Sequence, residues 1–297
     1  MQYIDNKDIL IIINPNSGNK CVKKIVKEIN SLSYSIAFVI TNNIVELEKV
    51  FASSIEKYKV FIVVGGDGTV NETLQYLYDR NDKILAVLPA GSGNGFSREL
   101  GFRNSIKSLI SDTKKGELIN VDILSINENL CINTAGLGFD SFVAHIFQKS
   151  SGRGLKNYIY STIKSIFTFK PFNAKIILGS DIIQGEFQMI TIANTRQFGN
   201  NAIISPQSNP TDDTFEIVLV NPFPFYLYPI FVIKLFLGTL KNSKYIKYIK
   251  VKDSVFIESE FKKYHVDGEP KIFIKKLSIK MLKNKVRIIK TAHNKGS

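Results

Sequence analysis

Cysteine is scarce: Cys21 and Cys131 are the only two in 297 residues. They lie far apart and fit no zinc or haem spacing, which excludes a disulfide scaffold and predicts two unpaired thiols in a reducing compartment. A leader is also missing. Met1 to Lys7 is polar, and Ile9 to Ile13 is too short for the apolar core of a signal peptide, so a cytoplasmic location is expected. There is no low-complexity tract, internal repeat or Gly/Ser-rich linker. Nor is there an uninterrupted apolar run of spanning length. The most apolar window, Pro222 to Leu240, is broken by three prolines in its first half and by Lys234 and Gly238 in its second. It reads either as a soluble amphipathic or buried helix or as a segment that dips into a membrane.

Negative charge is scarce in one part only. Of the formal net charge of +13, Met1 to Asp122 contributes almost nothing, with 15 Lys and Arg against 14 Asp and Glu. The remainder holds 24 basic and 12 acidic residues. A lysine-rich composition explains the abundance of lysine but not this asymmetry. A basic face of this kind attracts anionic membranes or nucleic acid. Hydrophobic residues make up 44% of the chain, enough for full cores, and the length suits two domains or one large one.

What is present is organised by glycine-rich turns at strand ends. Val60 to Glu72 runs from a buried apolar strand through Gly65, Gly66, Asp67, Gly68 and Thr69 into a helical pattern. Glycines admit positive φ and leave room for a ligand, and the helix N-terminus offers unpaired N–H groups to a phosphate. Asp67 is the odd member, because a carboxylate repels phosphates unless it binds a cation, a ribose hydroxyl or a proton. The strand from Asp8 to Ile13 ends in Asn14-Pro15-Asn16-Ser17-Gly18, and the strand from Ile84 to Leu88 ends in Pro89-Ala90-Gly91-Ser92-Gly93-Asn94-Gly95. Strands at 35–41 and 60–64, with helical patterns at 22–32, 47–55, 69–79, 96–100 and 104–111, complete four strand–helix alternations. This predicts an α/β layer with a mainly parallel sheet, whose ligands gather at the carboxyl ends of the strands.

After about Asp122 the texture changes. Strands are expected at 122–126, 130–134, 174–178, 187–194, 215–220, 254–259, 271–274 and 277–281, and helices at 142–148, 155–167 and 224–237. A largely antiparallel β-sandwich is predicted, with a tight hinge near 120–125 and a frayed tail at 291–297.

The motif set, in this order and spacing, resembles the diacylglycerol kinase catalytic family, which includes sphingosine, ceramide and bacterial lipid kinases. Besides the three turns it comprises Val266-Asp267-Gly268-Glu269-Pro270. The resemblance covers nearly the whole chain. It implies an N-terminal α/β nucleotide-binding domain over 1–122 and a C-terminal antiparallel β-sandwich lipid-substrate domain over 123–285, with residues 286–297 packing back on the first domain and the active site in the interdomain cleft. It implies ATP binding by Asn14, Ser17, Gly18, Thr41, Gly65, Gly66, Asp67, Gly68, Thr69, Asn71, Glu72, Gly91, Ser92 and Asn94. On the residues alone, Thr41 reads equally as a cap for the following helix. Asp67, Asp267 and Glu269 are the implied catalytic carboxylates, with Asp267 also a ligand of a catalytic Mg²⁺. Asn209, Asp212 and Thr214 map onto a structural Mg²⁺ site, where Asp213 replaces the family's glycine. Asp140 reads as a cleft residue or as a helix cap, and His265 as a surface residue with no assigned role.

The implied activity is transfer of the γ-phosphoryl of ATP to the hydroxyl of a membrane lipid, a diacylglycerol or sphingoid-type alcohol. The enzyme would be peripheral at an anionic inner membrane surface, would not bind nucleic acid, and would form a homodimer. Gly-Gly-Asp-Gly-Thr also occurs in NAD kinases, so an NAD kinase-type phosphotransferase is the alternative. A non-catalytic, nucleotide-gated membrane-binding protein is a third reading.

Overall fold

The computed structural model describes residues 4–18, 22–149, 162 and 164–294. Cys21 and most of the helix expected over 155–167 lie outside these residues. The chain divides into two compact units: Met1–Val121 with Asn284–Ser297, and Asp122–Lys283.

The first unit is built on one six-stranded sheet. Its strands are β1 (Ile9–Ile13), β2 (Ala37–Ile40), β3 (Val60–Gly65), β4 (Ile84–Pro89), β5 (Leu118–Val121) and the last strand of the chain, β18 (Val286–Ile289). The order is β2-β1-β3-β4-β18-β5. β1, β3 and β4 are continuous apolar runs because they are buried along their whole length, the mark of central parallel strands covered on both faces. β2 lies at the edge and alternates between half-buried and exposed positions. The helices α1 (Val22–Asn30), α2 (Ile44–Ser54), α3 (Asp67–Leu77), α4 (Gly95–Glu99) and α5 (Ile106–Lys115) each bury an apolar side, as α3 does with Val70, Leu74 and Leu77. Local chemistry sets their ends. Asn43 caps α2 through the Glu46 N–H, so the capping role weighed for Thr41 belongs to Asn43. Ser105 caps α5, which stops at Gly116 in the left-handed conformation.

The sheet has two strands that periodicity did not reveal. β18 pairs parallel with β4 and antiparallel with β5, filling the gap between them. Each of these strands is short and has its partner far away in sequence, so neither signals itself locally.

The second unit contains two antiparallel six-stranded sheets. In chain order the strands are β6 (Leu124–Ile126), β7 (Asn129–Cys131), β8 (Thr134–Gly138), β9 (Phe172–Leu178), β10 (Asp181–Phe187), β11 (Met189–Ala193), β12 (Phe215–Val220), β13 (Ile246–Val251), β14 (Ser254–Ser259), β15 (Lys263–Val266), β16 (Glu269–Ile272) and β17 (Leu277–Met281). One sheet has the order β10-β9-β14-β17-β6-β7 and the other β13-β12-β11-β8-β15-β16. Their inner faces share one core, with Ile176, Ile257 and Ile279 from the first and Leu137, Ile192 and Ile217 from the second. The result is the expected β-sandwich. Helix α6 (Phe139–Lys149) follows β8, and α7 (Tyr228–Leu237) follows a single 3₁₀ turn at Phe225–Leu227. No helix among the described residues is long and apolar enough to cross a membrane.

β18 buries Val286, Ile288 and Ile289. At about 1.5–3 kcal/mol each, their loss is comparable to the roughly 5–15 kcal/mol that stabilises a whole domain. A chain ending at Lys283 is therefore expected to lose the cooperative melt of the first unit while keeping that of the second. Calorimetry of the truncated chain checks this.

Candidate phosphate-binding site and acidic turn

β1, β3 and β4 are adjacent and parallel, so the three glycine-rich turns lie side by side at the carboxyl ends of the strands. The first turn meets the second at Thr69, buried in the first turn of α3. The Asn14 side-chain amide donates to Thr69 Oγ1 at 2.9 Å, and Ser17 Oγ lies 3.2 Å from the same atom. Asn14 also accepts the Asn16 N–H at 2.9 Å, which closes the first turn on itself.

Backbone packs against backbone here. A Cβ on Gly91 would lie 2.5 Å from the Gly66 Cα, and one on Gly18, whose φ is +66°, would lie 2.2 Å from the Ala90 carbonyl oxygen. Only glycine permits both approaches. The third turn is fixed by Asn94, left-handed at φ +50°. Its side chain accepts from Gly91 N at 2.9 Å and donates to Gly91 O at 2.7 Å. Ser92 stands exposed at the tip of the turn.

The position of Asp67 answers the question that the sequence raised about a carboxylate among phosphate-binding turns. It begins α3, yet its carboxylate caps a different helix, accepting Gly95 N at 2.9 Å and Phe96 N at 3.1 Å at the start of α4. Asp67 thus ties the second turn to the third. Gly65 and Gly68 lie within the same segment. Asn71 and Glu72 occupy the next positions of α3, partly buried. Thr41 is buried at the end of β2, its N–H donating to Ile13 O at 2.9 Å.

In the second unit Asp267 and Gly268 form the two-residue turn between β15 and β16, with φ of +48° and +88°. Positive φ at both positions is the hairpin geometry that Asp-Gly favours. The two carboxylates then part company. Glu269 is exposed. Asp267 is buried, and its carboxylate accepts the backbone N–H groups of Ile132, Asn133 and Thr134 at 3.1, 2.9 and 3.1 Å. The Cys131 thiol donates to it as well, at 3.3 Å. Burial, then the charge of Asp267 and this hydrogen bond, push that thiol well above its usual range and keep it protonated. Asp267 therefore clamps the segment between β7 and β8.

His265 is buried rather than on the surface. Gly268 N donates to its Nδ1 at 3.3 Å, which leaves the proton on Nε2, 3.3 Å from Asp140 Oδ2. Asp140, at the start of α6, also accepts from Ser141 N and Thr191 Oγ1. A side chain at Gly136 would collide with this pair, since its Cβ would lie 2.1 Å from Asp140 Oδ2. His265 and Asp140 thus buttress the acidic turn from inside. The buried partners of the turn carried no signal in the sequence beyond the proximity of His265.

The residues expected to hold a structural Mg²⁺ have other partners. Asn209 Oδ1 accepts from both the N–H and the hydroxyl of Thr211. Asp212 accepts from the N–H and hydroxyl of Thr214 and from Lys250 Nζ at 2.9 Å. Burial alone would raise the Asp212 carboxyl, but the hydrogen bonds of Lys250 and Thr214 and the Lys250 charge hold it below the ordinary range. The cation that balances Asp212 is thus an ammonium, and the three side chains as placed do not fit a Mg²⁺ site. Among the described residues no group of three or more His, Cys, Asp or Glu side chains is placed to hold a metal. Asp213 explains the family's glycine here: its φ is +60°, a conformation that glycine adopts without strain, and its N–H donates to Asp122 at 2.9 Å.

Two measurements check these assignments. Asp267→Asn places an amide donor against a backbone donor and removes hydrogen bonds to a charge, each contributing about 1.5–3 kcal/mol. It is expected to destabilise the second unit by roughly 3 kcal/mol in denaturant melts, whereas exposed Glu269→Gln should stay within about 0.5 kcal/mol. The second concerns Glu216, which accepts from the Ser208 hydroxyl. Burial raises its carboxyl above the ordinary 4.5, against the Ser208 hydrogen bond, with the Asp212 charge adding to the rise. With the folded pKa above the unfolded one, stability falls as pH climbs from about 4.5 toward the folded value. Asp212 has the opposite sign, and its contribution is lost as pH drops below 3.8. Glu216→Gln should flatten the decline above 4.5 and leave the loss at lower pH intact in pH-dependent melts.

The chain matches two family models in order, the diacylglycerol kinase catalytic domain over residues 8–126 and the YegS C-terminal NAD kinase beta sandwich-like domain over 133–285. A Bacillus subtilis protein named "Putative lipid kinase YtlR" is 28% identical over 285 residues, covering 87% of this chain and 92% of that one. The crystal structure of a diacylglycerol kinase from Bacillus anthracis has the same fold, with a TM-score of 0.74 at 20% identity over 96% of this chain and 97% of that one. An NAD kinase from Archaeoglobus fulgidus, crystallised in complex with ATP, matches with a TM-score of 0.56 at 15% identity over 96% and 95% of the two chains. The second model spans more than half of the chain and the first lies directly before it, so the chain belongs to the family in which a diacylglycerol kinase catalytic domain precedes a YegS C-terminal NAD kinase beta sandwich-like domain.

Proposed function

We propose that this protein is an ATP-dependent lipid kinase that transfers a phosphoryl group to the hydroxyl of a membrane lipid, a diacylglycerol or sphingoid-type alcohol. The observation that carries the reading is the linkage of three turns, the first to Thr69 through Asn14 and Ser17 and the third to the second through Asp67 and the Gly66–Gly91 backbone contact. Turns of this kind, beside the N-terminus of α3, present N–H groups and a positive dipole end to phosphates. Asn14, Ser17, Gly18, Thr41, Gly65, Gly66, Gly68, Thr69, Asn71, Glu72, Gly91, Ser92 and Asn94 are the proposed nucleotide residues. The nucleotide brings Mg²⁺, which neutralises phosphate charge, and positioning does most of the remaining work in such transfers.

Asp67 acts in this reading by positioning, since its carboxylate holds the third turn at the start of α4. Of the two carboxylates at the acidic turn, exposed Glu269 is the proposed base for the lipid hydroxyl. Asp267, with three backbone amides on its carboxylate, sets the turn that carries Glu269. The basic excess of the second unit suits an acceptor that stays in an anionic bilayer at the cytoplasmic face.

Purified protein, labelled ATP and either a lipid panel or NAD test the proposal. Label is expected in lipid, and Glu269→Gln should lower kcat at least about 100-fold, as loss of a general base does. Label in NAD alone would make the protein an NAD kinase-type enzyme. Full lipid turnover by Glu269→Gln would remove Glu269 from the chemistry.

A further inference from the structure

Helix α7 breaks the rule that soluble helices hide their apolar side. Tyr228, Phe231 and Leu235 face inward, and the latter two pack on the cluster of Val218, Val220 and Ile246. The outward side is apolar too. Ile230, Ile233, Phe236 and Leu237 are all exposed, Ile233 at 57% and Leu237 at 68%, and the preceding turn adds Phe225 at 72% and Tyr226 at 65%. Lys234 is the single charge on the helix. The face is fixed in place: Gln188 donates to the Tyr228 hydroxyl at 2.6 Å, Ile203 N donates to Leu235 O at 2.9 Å, and Gly238 closes the helix in the left-handed conformation. A rigid exposed apolar face of this kind marks an interaction surface.

Charge selects the occupant. From Asn221 to Lys252 the chain has six lysines and no Asp or Glu. Lys234, Lys241, Lys244 and Lys247 are all exposed. Pairing this face with its own copy would bring like charges together around the contact, whereas anionic lipid headgroups would neutralise them. We propose that the 3₁₀ turn and α7, residues 225–237, are the membrane-docking element of the protein, lying in the interface of an anionic bilayer with the lysines at headgroup level. This deepens the lipid-kinase reading, on which it rests, by naming the surface that meets the substrate's bilayer.

The chain has no tryptophan, so Ile233→Trp gives a single reporter on this face. Ile182→Trp, on β10 and 57% exposed in the parent chain, is the control. With phosphatidylglycerol vesicles, emission of the I233W chain is expected to move to shorter wavelength, less so with phosphatidylcholine vesicles or high salt, and that of the I182W chain to stay put. Ile233→Glu should weaken sedimentation with phosphatidylglycerol vesicles at least about tenfold without changing the thermal midpoint. No shift for the I233W chain with phosphatidylglycerol would overturn the proposal. So would a shift without lipid that grows with protein concentration alongside a dimer in sedimentation, which would make a second copy the occupant. Phosphorylation of detergent-dispersed lipid separates the two readings. Turnover there without a vesicle shift removes the docking element alone, and a vesicle shift without turnover on any lipid supports the element and removes the kinase reading.

Discussion

The first unit depends on two parallel strands ending side by side, with Gly66 and Gly91 in backbone contact between their turns. β3 and β4 deliver Gly66 and Gly91 to a separation that no Cβ tolerates. That contact brings the third turn within reach of Asp67, which caps α4, and leaves Thr69 as the hub for Asn14 and Ser17 on β1's turn. The turns proposed to cradle phosphate are held at strand ends and a helix start by interactions among themselves. A larger residue at Gly91 would push apart turns that the Asp67 carboxylate holds together.

The second unit uses a buried carboxylate in the same way. Asp67 and Asp267 both lie in Asp-Gly sequences, and both spend their oxygens on backbone N–H groups of another segment. Each therefore organises a turn whose neighbouring groups are left to face solvent. The partition between Asp267 and Glu269 follows from burial: the group sealed beneath the hairpin shapes it, and the exposed group is the proposed base. His265 and Asp140 add a second internal support through the Gly268 N–H.

The parallel core was legible in the sequence because strands buried on both faces are continuous apolar runs, as β1, β3 and β4 are. The glycine turns were legible because few residue types can end such strands beside a ligand. What could not be read were pairings between distant segments. The expectation that residues 286–297 pack back on the first domain did not extend to Val286–Ile289 forming a strand between β4 and β5. The partners of Asp67 lie 28 and 29 residues downstream, and those of Asp267 more than 130 residues upstream. Motif spacing marked both aspartates but not their roles. The Asn209, Asp212 and Thr214 set was mapped from the family's motif, which could not show that Lys250, on β13, reaches Asp212.

Three turns from three strands are proposed to make one nucleotide site. Hydrogen–deuterium exchange of the full chain, with and without ATP and Mg²⁺, tests it most directly. A single site requires slower exchange at residues 14–18, 65–69 and 91–95 together, because one ligand would draw on N–H groups of all three turns. Unchanged exchange in these turns at saturating nucleotide, or protection of one turn alone, would contradict it.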